Sequence, residues 1–393
     1  MSTARVPASA STPAPETKLP KVGTTIFTVA SALAQEHGAL NLSQGFPDFD
    51  GPAALLDGVA HYLRDGRNQY PPMTGVPSLR AAIAGKVRDL YGHAADADAE
   101  VTVTSGATEA LFCAIHAVVR PGDEVIVFDP AYDSYEPAVE LAGGRCVHLS
   151  LAAPDFAVDW DAVRDAITPA TRMIIVNSPH NPTGSVFSAA DLDALEAIVA
   201  DTGIFLLSDE VYEHIVFDGA AHQSLLRRAA LAARAFVVSS FGKTYHVTGW
   251  KVGYCVAPPA LSAEFRKVHQ YVTFTTITPV QLALADFLAE HPEHHLELPA
   301  FYQAKRDLLC ELLAPSRFVF TPSAGTYFQL VDYSAITDEA DVDLFRRLTV
   351  EHGIATIPVS VFYASPPDQK VLRLCFAKDD ATLRAAAERL CAI

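Results

Sequence analysis

The stretch from Ser239 to Gly253 reads Ser-Ser-Phe-Gly-Lys-Thr-Tyr-His-Val-Thr-Gly-Trp-Lys-Val-Gly and sets Lys243 just beyond an apolar run, Ala235-Phe236-Val237-Val238. Two β-branched residues and an aromatic in so short a run predict a buried strand, with Lys243 past its end. Open α/β sheets bind ligands at the carboxyl ends of their strands. A lysine held there among apolar neighbours loses solvation, its pKa falls, and it becomes a candidate amine nucleophile. The plainer alternative is a solvated surface lysine, the commoner fate of lysines. Gly242-Lys243-Thr244 also looks like the tail of a phosphate-binding P-loop, but that motif needs a glycine five positions before Gly242, where Val237 stands. The nucleotide-triphosphatase reading fails on spacing.

Other residues could share in such chemistry. Val101 to Thr104 alternates as a strand, Ser105-Gly106-Ala107-Thr108 turns, and Glu109 to Val119 carries a helical apolar face. A strand, a small-residue turn and a helix start put free N–H groups and a positive dipole end where an anion can sit, and phosphate is the natural candidate. Asp209 ends the run Ile204 to Ser208, and is either a helix cap or a buried charge seeking a cation. Arg373 interrupts the strand Val371 to Phe376, where it faces either an anionic ligand or a structural carboxylate. The loops Asn41 to Phe49 and Arg67 to Gly75 are rich in glycine and proline and serve as ligand-facing backbone or as plain connectors. His291-Pro292-Glu293-His294-His295 lacks the spacing of a zinc helix and reads as the start of a solvated helix, so no metal site is expected.

The elements that must hold these residues follow from periodicity. Glu124–Phe128, Met173–Val176 and 204–208 are continuous apolar runs between helical segments, the pattern of a parallel sheet covered on both faces. Helices are expected over 25–37, 77–91, 263–274 and 279–290. Beyond residue 290 the pattern changes to α+β, with short strands at 318–320, 326–330, 354–357 and 371–376 and helices at 340–352 and 380–391.

With 393 residues, half of them hydrophobic, the chain can fill two domains. A net charge of -17 speaks against nucleic acid or an anionic membrane as partner, which leaves small molecules. The six cysteines show no paired spacing and read as reduced core thiols. No run is long enough for a membrane helix and no secretory signal is evident, so a cytoplasmic protein is expected. Asn41-Leu42-Ser43 fits a glycosylation sequon without a secretory context. Residues 1–20, rich in Ala, Ser, Thr and Pro, read as a disordered tail.

The succession Gln44-Gly45-Phe46-Pro47-Asp48, Asn68-Gln69-Tyr70, Ser105-Gly106-Ala107-Thr108-Glu109, Asn181-Pro182-Thr183-Gly184, Asp209-Glu210-Val211-Tyr212, Ser240-Phe241-Gly242-Lys243 and Arg373-Leu374-Cys375-Phe376 closely resembles the class I/II pyridoxal-phosphate aminotransferases. The likeness runs from about residue 20 to the C-terminus and, within the class, is greatest to the methionine aminotransferases and their kynurenine/glutamine transaminase relatives. It implies the fold type I architecture, an α/β large domain with a mostly parallel seven-stranded sheet and a smaller α+β domain. The implied division is an N-terminal segment over 21–45, the large domain over 46–290 and the small domain over 291–393.

The resemblance also implies roles. Lys243 would take the pyridoxal 5'-phosphate aldehyde and later shuttle the substrate Cα proton. Asp209 would keep the ring nitrogen protonated. Asn181 and Tyr212 would hydrogen-bond the phenolic oxygen, and Tyr132 would stack on the ring. Gly106, Ala107 and Thr108 would cradle the phosphate with Ser240 and Lys251, joined by Tyr70 from the partner subunit of a homodimer. Arg373 would grip the substrate carboxylate, helped by Asn181 and the Gly45 backbone, and Phe27, Tyr70, Phe274 and Tyr327 would form the side-chain pocket. Lys251 stands where many class members carry arginine, a mark of the methionine and kynurenine branch. The implied reaction is ping-pong transfer of the amino group from methionine or an aromatic amino acid, including kynurenine, to a 2-oxo acid. A cysteine-conjugate β-lyase uses the same cofactor residues, and a non-enzymatic regulator on this fold is the alternative from another class.

Overall fold

Alternating apolar residues build the principal sheet of the computed structural model, which describes residues 16–393. Its strands are β1 (Val101–Thr104), β2 (Glu124–Asp129), β3 (Arg145–Ser150), β4 (Thr171–Asn177), β5 (Phe205–Asp209), β6 (Ala235–Ser240) and β7 (Gly253–Val256), in the order β1-β7-β6-β5-β4-β2-β3. β7 is antiparallel to both neighbours, and the other pairings are parallel. β1 therefore runs with β6, and the carboxyl ends of six strands share one edge. Ile126, Ile174, Val176, Leu206 and Val237 enter one core, while Val127, Ile175, Leu207, Phe236 and Val238 enter another on the opposite face. Burial on both faces is why these strands read as unbroken apolar runs.

Three helices frame the site. α1 (Ile26–Glu36) starts at Thr25, whose hydroxyl accepts from the Thr28 amide. α2 (Pro77–Tyr91) opens with proline and stops at left-handed Gly92. α3 (Gly106–Val118) begins three residues before the expected Glu109, directly in the small-residue turn. Two strands were not expected from the sequence. β3 is a half-exposed edge with Arg145, His148 and Ser150 on it, and β7 is short and follows the irregular segment after Lys243.

A second, antiparallel sheet holds β8 (Phe328–Asp332), β9 (Ile357–Pro358) and β10 (Val371–Cys375), in the order β9-β10-β8. Segment 318–320 makes only an isolated bridge, Val319 to Asp332. Helices α4 (Glu293–Leu313), α5 (Asp341–Glu351) and α6 (Asp380–Cys391) pack Leu309, Leu348 and Leu383 into a separate core, which also takes Ala30 of α1. Leu40–Asn41 pairs in parallel with Ile354–Ala355, tying the chain after α1 to this second unit. The expected solvated start of α4 is corrected by its packing. His295 is buried, and His294 meets the Thr244 carbonyl at 3.1 Å, so the histidines brace the lysine turn.

No helix among the described residues is long and apolar enough to cross a membrane. The six cysteines are unpaired. The first fifteen positions of the expected tail over residues 1–20 lie outside the described residues.

Candidate active site

At the carboxyl edge of the sheet lies a cavity of about 160 Å³ lined by the ends of β4, β5 and β6 and by the segments that follow β1, β2, β4, β5 and β6. One end is an anion cradle. Gly106 has φ +79, and a Cβ there would stand 3.1 Å from Lys251 Cε, so a side chain at this turn would crowd the ammonium. Gly253 is equally constrained, since its Cβ would lie 2.9 Å from the Ala107 amide. The backbone of Gly106, Ala107 and Thr108, at the positive end of α3, thus converges with Ser240 and Lys251 on the same space. Burial pushes the Lys251 pKa down, with no carboxylate opposing it. This end can hold a phosphate-sized dianion.

The middle of the cavity offers a flat slot. Asp209, at the end of β5, accepts from the Tyr135 hydroxyl at 2.7 Å and weakly from the Val211 amide at 3.4 Å. Both partners are neutral, and burial raises the carboxyl to a pKa of about 6. Asp209 is therefore a buried acceptor facing the cavity, which settles the choice left open by sequence against a helix cap. Tyr132 lines one side, its hydroxyl 3.4 Å from that of Thr108. Asn177 donates to the Asp209 carbonyl at 2.8 Å and accepts from the Asn181 amide at 2.8 Å. Tyr212 lines the same space, its phenol pKa raised by burial.

Lys243 lies in the first turn after β6, and its ammonium donates to Tyr327 Oη at 3.0 Å and to the Gly45 carbonyl at 3.1 Å. Burial lowers its pKa to about 8, and the neighbouring Lys251 and Arg373 charges act in the same direction. The neutral fraction near physiological pH is therefore raised well above that of an ordinary lysine, as a nucleophilic amine requires.

Arg373 is 1% exposed and donates to Asn181 Oδ1 and to the Ser43 carbonyl, both at 2.8 Å, while its Nε has no partner among the described residues. Its guanidinium lies over the ring of Phe328 at 3.9 Å and that of Phe27 at 5.4 Å. A buried cation with neutral partners and a spare donor is built to receive a carboxylate. Its partners are thus an amide oxygen and a backbone carbonyl, with no carboxylate in hydrogen-bonding reach among the described residues.

Most of the residues read from sequence meet here, but Tyr70 and Phe274 do not. Tyr70 is 83% exposed and stacks edge-on against Phe274, ring centres 5.4 Å apart, on the outer surface. Tyr327 is fully buried and holds Lys243 through its hydroxyl, so it is more than an apolar wall. Sequence reasoning passed over Asn177, Tyr135 and Ser43. Asn177 had a usable signal, a polar residue ending an apolar strand, whereas Tyr135 and the Ser43 carbonyl had none beyond their neighbours.

Residues 37–390 match the sequence profile of aminotransferase class I and II. The chain is 58% identical over 376 residues to a methionine aminotransferase of Escherichia coli, covering 96% of this chain and 97% of the relative. It is 33% identical over 417 residues to a kynurenine–oxoglutarate transaminase of Dictyostelium discoideum, covering 96% and 95%. A crystal structure from Escherichia coli, whose reactivity identified a methionine aminotransferase function, superposes with a TM-score of 0.95 at 57% identity over 97% of this chain and 100% of that one. That of N-succinyldiaminopimelate aminotransferase from Mycobacterium tuberculosis gives 0.93 at 40% identity over 96% and 100%. With the geometry of the cavity already pointing to an amine, an anion cradle and a carboxylate grip, the chain belongs to the class I and II aminotransferase family.

Proposed function

We propose that this transaminase uses pyridoxal 5'-phosphate and takes its amino group from methionine or an aromatic amino acid, kynurenine among them, passing it to a 2-oxo acid in two half-reactions. The observation that carries the cofactor reading is one cavity holding an amine of lowered pKa, a buried carboxylate with neutral partners and a helix-end anion cradle. Those residues fit the group. When bound, pyridoxal phosphate supplies an aldehyde that condenses with amines and a protonated ring that draws electrons from the substrate Cα.

The chain's own residues would do the rest. Gly106, Ala107, Thr108, Ser240 and Lys251 would hold the phosphate. Asp209 would keep a proton on the ring nitrogen, the Tyr135 hydroxyl fixing its carboxylate. Tyr132 would stack on the ring, and Asn181 and Tyr212 would donate to its phenolic oxygen. Arg373 would bind the substrate carboxylate and so fix the direction in which the Cα–H bond points. Lys243 Nζ would take the Cα proton as general base and deliver it, as general acid, to the carbon on the far side of the substrate nitrogen.

The donor preference is supported by the 58% identity to a methionine aminotransferase and by the apolar rings of Phe27, Phe328 and Phe362 around Arg373. Among the described residues Arg373 is the arginine over these rings, and no arginine lines the cavity to pair with a distal carboxylate. The test is a donor panel with the purified enzyme. Methionine, phenylalanine, tyrosine and kynurenine should exceed aspartate and glutamate in kcat/KM by at least about tenfold, the low end of what one methylene group is worth in an apolar pocket. Acidic donors outperforming methionine would overturn the preference, and pyruvate and ammonia released from a cysteine conjugate without a 2-oxo acid would point instead to β-elimination.

We also propose that the protein acts in the cytoplasm as a homodimer, with Tyr70 reaching the phosphate site of the partner subunit. The support is its exposed position against Phe274, an aromatic pair outside this chain's own cavity.

A further inference from the structure

Lys243, Tyr327 and Gly45 come from three distant parts of the chain and meet in a closed triangle. Lys243 Nζ donates to Tyr327 Oη at 3.0 Å and to Gly45 O at 3.1 Å, and Tyr327 Oη donates its own proton to Gly45 O. With the phenol proton directed at the Gly45 carbonyl, the phenol oxygen is left as an acceptor toward lysine. Both fixed contacts of the amine are therefore acceptors. An unprotonated amine has two N–H bonds, and with both spent here its lone pair points away from Tyr327 and Gly45, free for the cavity that Lys243 lines.

The triangle is held firmly. Tyr327 is fully buried, its ring packed against Tyr212 at 5.1 Å, Phe328 at 5.0 Å and Tyr302 at 5.6 Å. A Cβ at Gly45 would lie 2.8 Å from the Phe328 ring, so its carbonyl reaches this point because the residue is glycine.

We propose that Tyr327 is a positioning residue: with the Gly45 carbonyl it orients the released Lys243 amine so that its lone pair faces the substrate Cα. The inference rests on the transaminase reading above. It differs from a wall role for Tyr327, because a wall needs the ring and not the hydroxyl. The charged and titratable groups facing the amine are Asp209, Lys251, Arg373, Cys375, Tyr212 and Tyr327 itself.

The test is Tyr327→Phe, which keeps the ring and removes the acceptor. In the holoenzyme, kcat for methionine should fall about tenfold, the worth of one hydrogen bond, with KM changed less than about twofold. The isotope effect with Cα-deuterated methionine should rise as proton transfer becomes limiting. A second measurement uses the full chain freed of cofactor, with cyanate labelling of Lys243 followed by mass spectrometry across pH. Loss of an acceptor disfavours the ammonium, so the labelling midpoint should move to lower pH.

An unchanged kcat and isotope effect, or an unchanged labelling midpoint, would overturn the inference while an active parent enzyme left the transaminase reading standing. A parent enzyme without transaminase activity would overturn that reading, and the midpoint would still report the contact. Tyr327→4-aminophenylalanine retains a donor for Gly45 and a weaker lone pair, and should fall between parent and Tyr327→Phe on both measurements. Should the phenylalanine chain not fold, values for this second variant equal to the parent's would overturn the inference.

Discussion

Asp209 shows what the site costs at the scale of one residue. Its carboxylate has a phenol and an amide for partners and no cation within hydrogen-bonding reach, and burial lifts its pKa from 3.8 to about 6. At roughly 1.4 kcal/mol per pKa unit, the charged form is destabilised on the order of 3 kcal/mol in the folded chain. The sign follows from the raised value. Below about pH 4 both folded and unfolded forms are protonated and nothing is lost. Between about pH 4 and 6 the unfolded chain releases its proton first, and above about pH 6 the full penalty stands. Asp209→Asn should therefore stabilise the cofactor-free chain near neutral pH by about 2 kcal/mol, with the gain shrinking to nothing near pH 4, while transamination is lost. Urea unfolding of the two cofactor-free chains across this range measures it. A parent chain as stable as the variant at neutral pH would show that the cavity solvates the carboxylate after all. Function here is held against stability, and a bound cationic ring nitrogen would offset the deficit.

At the scale of elements, the loop after β5 is fixed by a second buried carboxylate. Glu213 follows Tyr212 and accepts from Lys86 of α2 at 2.6 Å and from Tyr254 of β7 at 2.7 Å, with further bonds from Ser239 of β6 and from Tyr91 of α2. Side-chain exposure is 6% for Lys86 and 3% for Glu213. Lys86→Met leaves the carboxylate buried with neutral donors alone and should destabilise the fold by about 3–5 kcal/mol in denaturant unfolding. Adding Glu213→Leu should recover part of that loss, because the unpaired charge is then gone. A single variant within 1 kcal/mol of the parent would mean that the neighbouring phenols suffice.

This pair also marks how far the sequence could be read. Buried strands announce themselves by unbroken apolar runs, and helices such as α2 by period and punctuation, so the polar strand ends Asp209 and Ser240 were placed correctly from local pattern. The edge strand β3 and the short β7 lacked that pattern, since one is half solvated and the other begins at a glycine beside an irregular turn. Lys86 looks like an ordinary polar position on a helix because its partner lies 127 residues away. The same holds for the Lys243 hydroxyl contact, 84 residues distant, which no local spacing reveals. Positions at strand ends were legible, while their supports depend on long-range packing.

The whole molecule poses the question of what covers Tyr70. It is 83% exposed and packs edge-on against the part-exposed Phe274, while Thr278 hydrogen-bonds the Gln69 carbonyl beside it at 2.6 Å. An aromatic surface of this kind, within the loop that the family resemblance ties to the phosphate, is what a second copy of the chain would cover. Two inactive variants can then repair each other. Lys243→Ala retains Tyr70, and Tyr70→Ala retains Lys243. Co-expressed in equal amounts, they form hybrids as about half of all dimers, and each hybrid has one site with both residues intact. The mixture should regain about a quarter of the parent activity, although Lys243→Ala alone has none and Tyr70→Ala alone very little. If Tyr70 served its own chain, no hybrid site would be complete and mixing would restore nothing, so the recovered activity separates a shared site from two independent ones.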